Sequence, residues 1–269
     1  MTLAIIAGNG DLPKLIIAEC ERRKSDFIVI LIEGEPSNVH YKSYNHYIVS
    51  IGSLGKLLTI FKQNKVQQIV FVGGIQKPSF SNLKVDKKGA VLLSKLISNK
   101  IFGDNNILTT ITNYFSKEGF KIVGANDIVQ DIIAEKGVLT KTKPSKSDLA
   151  DIKMGENAIK LMSELDIGQA VVVQNKQIIG VEAIEGTDEL IKRCGKIRFE
   201  KVSKPILIKI KKQNQNTKID LPTIGVKTIN NLIAANFAGI AIKSGSTLII
   251  DKEKIIDLAN KNKLFIIAI

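Results

Sequence analysis

Asp220 is the carboxylate in this sequence that is best placed for chemistry at a phosphate group. It lies in the run 219–225, IDLPTIG, where Pro222 fixes the backbone of a turn and a predicted helix begins at Val226. A carboxylate on a backbone of fixed shape can ligate a metal ion or orient a water molecule. We therefore expect this turn to hold a metal ion against a phosphate, with Thr223 as a candidate substrate contact.

Glu185 and Asp188 lie around a second turn, which leads from a predicted strand into a predicted helix. In a tight turn this spacing directs both carboxylates to one place, and Mg²⁺ needs only one or two carboxylates beside phosphate oxygens and water. The alternative is a capping arrangement in which Thr187 or Asp188 closes the start of the helix. We predict Asp220, Asp188 and Glu185 as metal ligands and Thr187 as a substrate contact, and the capping alternative stays open.

The turn Gly8-Asn9-Gly10-Asp11 follows the first predicted strand and opens the first predicted helix. Backbone N–H groups and a helix N-terminus in that geometry can meet a phosphate, so we predict these four residues as substrate contacts. Pro13 stands where the dinucleotide fingerprint has its third glycine, which disfavours a nicotinamide oxidoreductase. The alternative is a tight turn in which Asp11 is the N-cap.

A second glycine turn, at 73–78, lies at the carboxyl end of another predicted strand. Ligands of open parallel sheets bind at such ends, and we expect this turn at the same sheet edge as Gly8. Gly74 allows close approach of the backbone, and Lys77 offers a positive charge to a phosphate. The alternative is a flexible loop without a ligand.

The chain of 269 residues has 39 basic and 26 acidic side chains and a formal net charge of +13. This charge either keeps a basic surface solvated or attracts an anionic partner such as a nucleotide diphosphate or an acidic lipid. The segment 196–212, with seven basic residues and one acidic residue, is either a phosphate or lipid headgroup contact or a solvated strand edge. Nucleic acid is not favoured, because there is no zinc-finger spacing and no basic strand studded with aromatic residues.

Cysteine usage and hydropathy favour a cytoplasmic protein. Cys20 and Cys194 lie far apart and form no metal-type spacing, and the N-terminus has no basic leader. No apolar stretch approaches the roughly 20 residues that a membrane-spanning helix needs.

Alternating strand and helix patterns predict an α/β protein with two α/β domains. Strands separated by helices over residues 1–135 predict an N-terminal Rossmann-like domain with a parallel sheet. The periodicity lapses at 136–148, which we interpret as a linker. Residues 149–269 predict a C-terminal mixed α/β domain, in which the strands 170–174 and 177–183 pair around a short turn.

Five motifs occur in an order that is specific for one protein family. They are IAGNGDLP at 6–13, GGIQKP at 73–78, LDIGQ at 165–169, EGTD at 185–188 and DLPTIG at 220–225. Together they resemble the LpxI family of UDP-2,3-diacylglucosamine diphosphatases, and the resemblance spans essentially the whole chain. The sequence departs from the family at Lys77, where Arg is common, which keeps the charge but loses the bidentate guanidinium.

The resemblance implies Mg²⁺-dependent hydrolysis of the pyrophosphate bond of UDP-2,3-diacylglucosamine to UMP and 2,3-diacylglucosamine 1-phosphate (lipid X) in lipid A biosynthesis. It implies that Asp220 is the catalytic aspartate and that the lipid-linked UDP-sugar is held between the two domains. Such a protein is expected at the inner membrane surface as a peripheral protein. Whether it forms a homodimer is left open. The alternative is a non-catalytic regulatory protein that binds a nucleotide or a lipid-sugar.

Overall fold

The computed structural model describes residues 1–35, 40–75, 85–98, 104–212, 219 and 221–269. Two predicted site residues, Lys77 and Asp220, lie outside the described residues. The chain divides into two compact units. Residues from 1 to 130 and Ile219 form the first unit, and the other described residues, from 131 onward, form the second.

The first unit is a five-stranded sheet with helices between its strands. Its strands are β1 (Thr2–Ala7), β2 (Phe27–Ile32), β3 (His46–Val49), β4 (Val66–Val72) and β5 (Lys121–Ile122). They lie in the order β3-β2-β1-β4-β5, and each pair is parallel. The helices are α1 (Leu12–Arg22), α2 (Leu54–Gln63), α3 (Lys87–Ser98), α4 (Asp104–Lys117) and α5 (Ala125–Ile128), and a short 3-10 helix, Gln130–Ile132, spans the point in the sequence where the second unit begins. The predicted parallel sheet of the N-terminal half is confirmed.

Strands β1 and β2 show why this half of the chain forms a parallel sheet. Their sequences, TLAIIA and FIVILI, are apolar without alternation, and their central residues are buried. Helices of the crossover connections cover a parallel sheet on both faces, so its strands need continuous apolar runs. Each Ile or Leu buried there contributes about 1.5–3 kcal/mol relative to an exposed side chain.

The second unit is built around a six-stranded mixed sheet. Its strands are β6 (Gly137–Val138), β7 (Ala170–Gln174), β8 (Gln177–Val181), β9 (Ile206–Lys209), β10 (Thr223–Ile224), β11 (Gly239–Ile242), β12 (Leu248–Ile249) and β13 (Phe265–Ala268). The mixed sheet has the order β6-β13-β11-β9-β7-β8, while β10 and β12 pair separately. The helices are α6 (Lys146–Ser163), α7 (Gly186–Ile197), α8 (Val226–Ala234) and α9 (Lys252–Lys261). The predicted mixed α/β architecture of the C-terminal half is confirmed.

Strand β11 lies inside that sheet, where the sequence predicted no strand. It pairs in parallel with β9 on one side and with β13 on the other. All four of its residues are buried, so the run has no alternation and periodicity alone cannot identify it as a strand. Gly239 is needed at its start, because a Cβ there would lie 2.4 Å from the ring of Phe265 on β13.

Helix α6 fixes the position of β9 from one face of the mixed sheet. A Cβ on Gly155 would lie 2.6 Å from Cγ1 of Ile208, so the helix approaches the strand closely at this glycine. Ile152 and Ile159 of the same helix belong to the apolar cluster that contains Ile208. This packing holds the carboxyl end of β9, and with it Lys209, in a defined place.

Candidate functional site

Lys209, the last residue of β9, is a buried cation in the second unit. It is 8% exposed, and its Nζ donates to Oγ1 of Thr187 at 3.0 Å and to the carbonyl oxygen of Thr223 at 3.2 Å. A buried ammonium group needs such partners, because its removal from water is costly. The lysine therefore joins the start of α7, where Thr187 lies, to β10, where Thr223 lies.

Thr187 also contacts the buried carboxylate of Glu182. Its hydroxyl donates to Oε1 of Glu182 at 2.5 Å, and Oε2 of Glu182 accepts from the backbone N–H of Gln169 at 2.7 Å. The side chains of Lys209 and Glu182, both buried, are thus linked by one hydroxyl group. We refer to Lys209, Thr187 and Glu182 as the Lys209 network.

Two glycines allow loops to approach the Lys209 network. Gly168 has a φ of +39°, and a Cβ there would lie 2.1 Å from the carbonyl oxygen of Glu182. Gly186 has a φ of +78° and is the first residue of α7, which places Thr187 in the first turn of that helix. A side chain at either position would strain the backbone that forms the network.

Three of the five family motifs meet at the Lys209 network. The motifs at 165–169, 185–188 and 220–225 contribute a backbone N–H, a hydroxyl and a backbone carbonyl to it, respectively. The structure thus brings together Thr187 and Thr223, which the sequence predicted as separate substrate contacts. Their common neighbour is Lys209.

The Lys209 network is suited to bind an anion. Its buried ammonium group lies beside the first turn of α7, a helix of 12 residues. The N–H groups and the dipole at a helix start also favour negative charge, and phosphate is a common ligand of such places. The hydroxyl of Thr187 donates its proton to Glu182, so the direct effect of Thr187 is to position Lys209.

The sequence alone did not single out Lys209. It belongs to the basic segment 196–212, which left a phosphate contact and a solvated strand edge as alternatives. The signal that identifies it is its place in the otherwise apolar run ILIKI at 206–210. A lysine inside a buried strand is rare unless it has a partner or a function.

Asp188 is bound to helix α8. Its Oδ1 accepts from Nδ2 of Asn231 at 2.8 Å, and its Oδ2 pairs with Nζ of Lys227 at 2.7 Å. The hydrogen bond from Lys227 to this carboxylate raises the pKa of the lysine. Asp188 therefore connects the first turn of α7 to α8.

Glu185 is held by its own turn and by Arg193. Its Oε2 accepts from the backbone N–H of Ala183 at 3.1 Å, and its Oε1 accepts from Nη2 of Arg193 at 3.0 Å. A hydrogen bond from its own backbone N–H, and then the one from Arg193, hold the pKa of Glu185 below its usual value. The carboxylate makes no capping bond to α7.

Within the described residues there is no preformed metal cage. Glu185 and Asp188 each pair with a cationic side chain, and no group of three or more His, Cys, Asp or Glu side chains in that part of the chain could hold a metal ion. To ligate one ion, the two carboxylates would first have to release these partners. Asp220 lies outside the described residues, so Mg²⁺ ligation stays a prediction.

The two glycine turns of the first unit lie together at the carboxyl edge of its sheet, as the sequence predicted. The backbone N–H of Asn9 lies 2.7 Å from the oxygen of Gly74, and the N–H of Gly74 lies 3.0 Å from the oxygen of Asn9. Gly8 is needed beside them, because a Cβ there would lie 2.4 Å from the oxygen of Gly74. Lys77, predicted in the same turn as Gly74, lies outside the described residues.

Gly10 and Asp11 lie at the exposed start of α1. Asp11 occupies the N-cap position, but its carboxylate makes no capping bond and pairs with Nζ of Lys14 at 3.2 Å. Among the described residues, no atom lies within 4 Å of where a Cβ on Gly10 or on Gly74 would be. Both glycines are exposed, while the backbone N–H groups of Asn9 and Gly74 are already bonded to each other's carbonyl oxygens.

Comparison with known proteins assigns nearly the whole chain to one family. The LpxI N-terminal domain matches residues 2–132, and the LpxI C-terminal domain matches residues 135–267. The UDP-2,3-diacylglucosamine pyrophosphatase LpxI of Caulobacter vibrioides is 33% identical to this chain over an alignment of 275 residues. The alignment covers 99% of this chain and 97% of that relative. The chain therefore belongs to the LpxI family, as its five motifs indicated.

Proposed function

We propose that this chain hydrolyses the pyrophosphate bond of UDP-2,3-diacylglucosamine to UMP and 2,3-diacylglucosamine 1-phosphate in lipid A biosynthesis. Membership of the LpxI family along nearly the whole chain supports this substrate, because the relative from Caulobacter vibrioides is named for it. The structural observation that carries the proposal is the Lys209 network, which gathers three family motifs around a buried positive charge.

The residues of the second unit supply what pyrophosphate hydrolysis needs. The reaction requires neutralised phosphate charge and a water molecule oriented in line with the leaving group. Lys209 and the start of α7 offer positive charge that little water screens. Thr187 and Glu182 hold Lys209 in place before the phosphate arrives. We assign Asp220 to the orientation of the water molecule or to the metal ion.

Mg²⁺ enters the proposal as an ion that accompanies the diphosphate group. Mg²⁺ usually keeps several waters and takes one or two protein carboxylates when phosphate oxygens complete its shell, so a cage of protein ligands is not needed. When bound, the ion would neutralise charge on the leaving phosphate. Asp220 is the first candidate ligand, while Glu185 and Asp188 require the release of Arg193 and Lys227.

We also propose that the chain meets its lipid substrate at an anionic membrane surface as a peripheral protein. None of the helices in the described part of the chain has the length and apolarity needed to cross a bilayer. The net charge of +13 favours anionic headgroups, and the apolar side chains of Leu161, Leu165 and Ile184 are exposed on the second unit. The test is sedimentation of the chain with lipid vesicles. Sedimentation with phosphatidylglycerol vesicles that decreases as salt is added, together with no sedimentation with phosphatidylcholine vesicles, supports this proposal. No sedimentation with either kind of vesicle contradicts it.

The test of the reaction is the release of UMP from UDP-2,3-diacylglucosamine by the purified chain with Mg²⁺. We expect UMP from the wild-type chain, and none from Asp220→Ala or from an EDTA-treated sample. Asp220→Ala should still bind the substrate, since it lacks a carboxylate that repels phosphate. Saturable substrate binding by the wild-type chain without UMP release would establish the non-catalytic binding protein instead.

A further inference from the structure

Helix α6 has two apolar stripes, and only one of them is buried on the mixed sheet. Ile152 and Ile159 belong to the buried apolar cluster beneath the helix. Met154, Ala158 and Leu161 follow one another at helical spacing on another face of α6, and Leu161 is 69% exposed. A helix that covers a sheet needs one apolar stripe for its packing, so the second stripe has a different role.

The second stripe forms an open groove with β8, an edge strand of the six-stranded sheet. The groove has a volume of about 670 Å³, and Ile178 and Val181 of β8 line it together with the stripe of α6. Ile178 is 45% exposed. Among the described residues, no charged side chain lines this groove. It is therefore an apolar surface that faces solvent along one edge of the second unit.

Ile184 adds an apolar side chain beyond the end of β8. It lies in the loop between β8 and α7, and it is fully exposed. We refer to Leu161, Ile178 and Ile184 as the β8 face. Single exposed apolar residues are ordinary on a protein surface, but exposed apolar side chains on three adjacent elements indicate an interaction site.

A second groove, on the α7 side of β8, supplies positive charge. It shares Val181 with the apolar groove, and Lys192, Arg193 and Lys196 lie along it. Lys192 and Arg193 each pair with a glutamate of the same groove. Lys196 is exposed and has no ion-pair partner in the described part of the chain. Its charge is therefore available to an anion beside the β8 face.

Two further lysines lie next to residues of the β8 face. Lys160 precedes Leu161 on α6, and Lys176 lies in the hairpin turn just before β8. Both are exposed, and neither forms an ion pair with another described residue. The exposed carboxylate of Glu164, just after α6, offsets one of these charges. Together with Lys196, the lysines leave the rim of the β8 face positively charged.

An apolar surface with a positive rim is complementary to a bilayer with anionic headgroups. Apolar side chains enter the boundary between headgroups and acyl chains, while lysines at the rim keep their ammonium groups beside the lipid phosphates. The place of Ile184 suits this partner, because it stands between Glu182 and Thr187 of the Lys209 network in the sequence. Insertion of Ile184 would hold that network near the headgroups, where the diphosphate of a lipid-linked substrate lies.

We propose that the β8 face is the surface by which the chain binds an anionic membrane. Its three apolar side chains enter the bilayer, and the neighbouring Lys160, Lys176 and Lys196 contact lipid phosphates. This inference rests on the proposed function, which brings the chain to a lipid substrate. It assigns membrane binding to one edge of the sheet in the second unit.

Single tryptophan variants test which surface enters the bilayer. The chain has no tryptophan, so one introduced residue reports the surroundings of one position. With phosphatidylglycerol vesicles, the fluorescence emission of Ile184→Trp should shift to shorter wavelength, and lipids brominated on their acyl chains should quench it. Val138→Trp is the matched control, because Val138 is exposed on β6, the strand at the opposite edge of the same sheet. Its emission should not change.

Sedimentation with phosphatidylglycerol vesicles measures what single side chains contribute. Ile178→Thr and Leu161→Ser should each weaken vesicle binding about three- to tenfold, because less apolar surface leaves water. Val138→Thr, the same kind of change on the opposite edge strand, should bind as the wild-type chain does. Lys196→Gln should weaken binding about three- to fivefold, as for one lysine near an anionic surface, whereas Lys254→Gln, on the exposed side of α9, should not. Thermal unfolding of each variant is the control for folding.

The outcomes separate this inference from the proposed function, because hydrolysis of a detergent-dispersed substrate measures the reaction without a bilayer. Wild-type vesicle binding in both Ile178→Thr and Leu161→Ser, or no shift of the emission of Ile184→Trp, overturns the inference whether or not the chain hydrolyses its substrate. A dimer that Leu161→Ser dissociates without any change in vesicle binding also overturns it, since a second copy then covers the β8 face. Vesicle binding that depends on the β8 face, in a chain that releases no UMP, supports the inference and removes the proposed hydrolysis.

Discussion

The side-chain nitrogen of Lys209 lies 3.0 Å from the hydroxyl oxygen of Thr187, and this contact connects the end of β9 to the start of α7. Thr187 gives its only hydroxyl proton to Glu182, so it must accept from Lys209. Both carboxylate oxygens of Glu182 accept hydrogen bonds, as an ionised carboxylate does. The directions of these bonds fix a positive charge at one place in the second unit.

Substitutions at Thr187 separate the bridging hydroxyl from the volume of the side chain. Thr187→Val keeps the shape but cannot link Lys209 to Glu182, so we expect kcat to fall about ten- to hundredfold, as for a lost bond to a charged group. Thr187→Ser keeps the hydroxyl and should restore most of kcat. Steady-state kinetics of both variants, with thermal unfolding as the control, check this prediction. A serine variant as impaired as the valine variant would show that packing of the methyl group accounts for the loss.

The ion pair of Asp188 with Lys227 provides a test for metal ligation. If Asp188 ligates Mg²⁺, Lys227 competes with the ion, and Lys227→Ala should lower the Mg²⁺ concentration for half-maximal hydrolysis about two- to fivefold, as for an exposed ion pair. The matched control is Lys192→Ala, because Lys192 pairs with Glu189 at 2.7 Å on the exposed side of α7. The same Mg²⁺ dependence in wild type and Lys227→Ala would exclude Asp188 as a ligand.

Alanine substitutions at Gly8 and Gly74 distinguish a glycine that the packing of the first unit requires from one that has room for a side chain. Gly8→Ala should lower the free energy of unfolding by about 1–3 kcal/mol, because its Cβ would meet the oxygen of Gly74 at 2.4 Å. The Cβ of Gly74→Ala would meet no atom of the described residues within 4 Å, so this variant should keep the stability while raising KM, since Gly74 is a predicted substrate contact. Urea unfolding and kinetics of both variants measure these effects. Equal stability of the two variants would contradict the tight bridge between the turns.

The stability of the first unit should depend on pH through Asp86. Partial burial raises its pKa, but the backbone N–H groups of Gly89, Lys56 and Gly55 donate to its carboxylate and hold the pKa below the usual value. A lowered pKa in the folded chain adds stability above the unfolded pKa of about 3.9, and this stability is lost as the pH falls through the folded pKa.

The variant Asp86→Asn measures this contribution. At pH 6 it should be less stable than wild type by about 1–2 kcal/mol, the cost of losing a helix-capping carboxylate. The difference in free energy of unfolding should shrink below about pH 4, where the carboxylate of the unfolded wild-type chain takes up a proton, until the pH is below the lowered pKa of the folded chain. Urea unfolding at several pH values tests this, and a difference that is constant down to pH 2.5 would contradict it.

Much of the fold could be predicted from local patterns. The hairpin of β7 and β8 was predicted from two apolar runs around Asn175 and Lys176, and both residues have positive φ values, 49° and 59°, as a tight hairpin turn requires. Strand β11 could not be predicted, because a short buried run after a helix has no period of its own. Its assignment depends on pairing with β9 and β13.

The candidate site could be predicted only in parts. Thr187 and Thr223 stood out because each lies in a turn of unusual sequence. Lys209 did not, because its burial and its partners come from segments 22 and 14 residues away in the sequence.

The measurement that tests the account most directly is the rate of UMP release from UDP-2,3-diacylglucosamine by wild type, Lys209→Met and Lys204→Met. Lys204 is exposed just before β9, so Lys204→Met should keep the wild-type kcat/KM. Lys209→Met removes the buried charge at similar side-chain length and should lower kcat/KM about 10²-fold or more, with the fold verified by thermal unfolding. UMP release at the same rate by all three chains, or no release by the wild-type chain, would contradict the account.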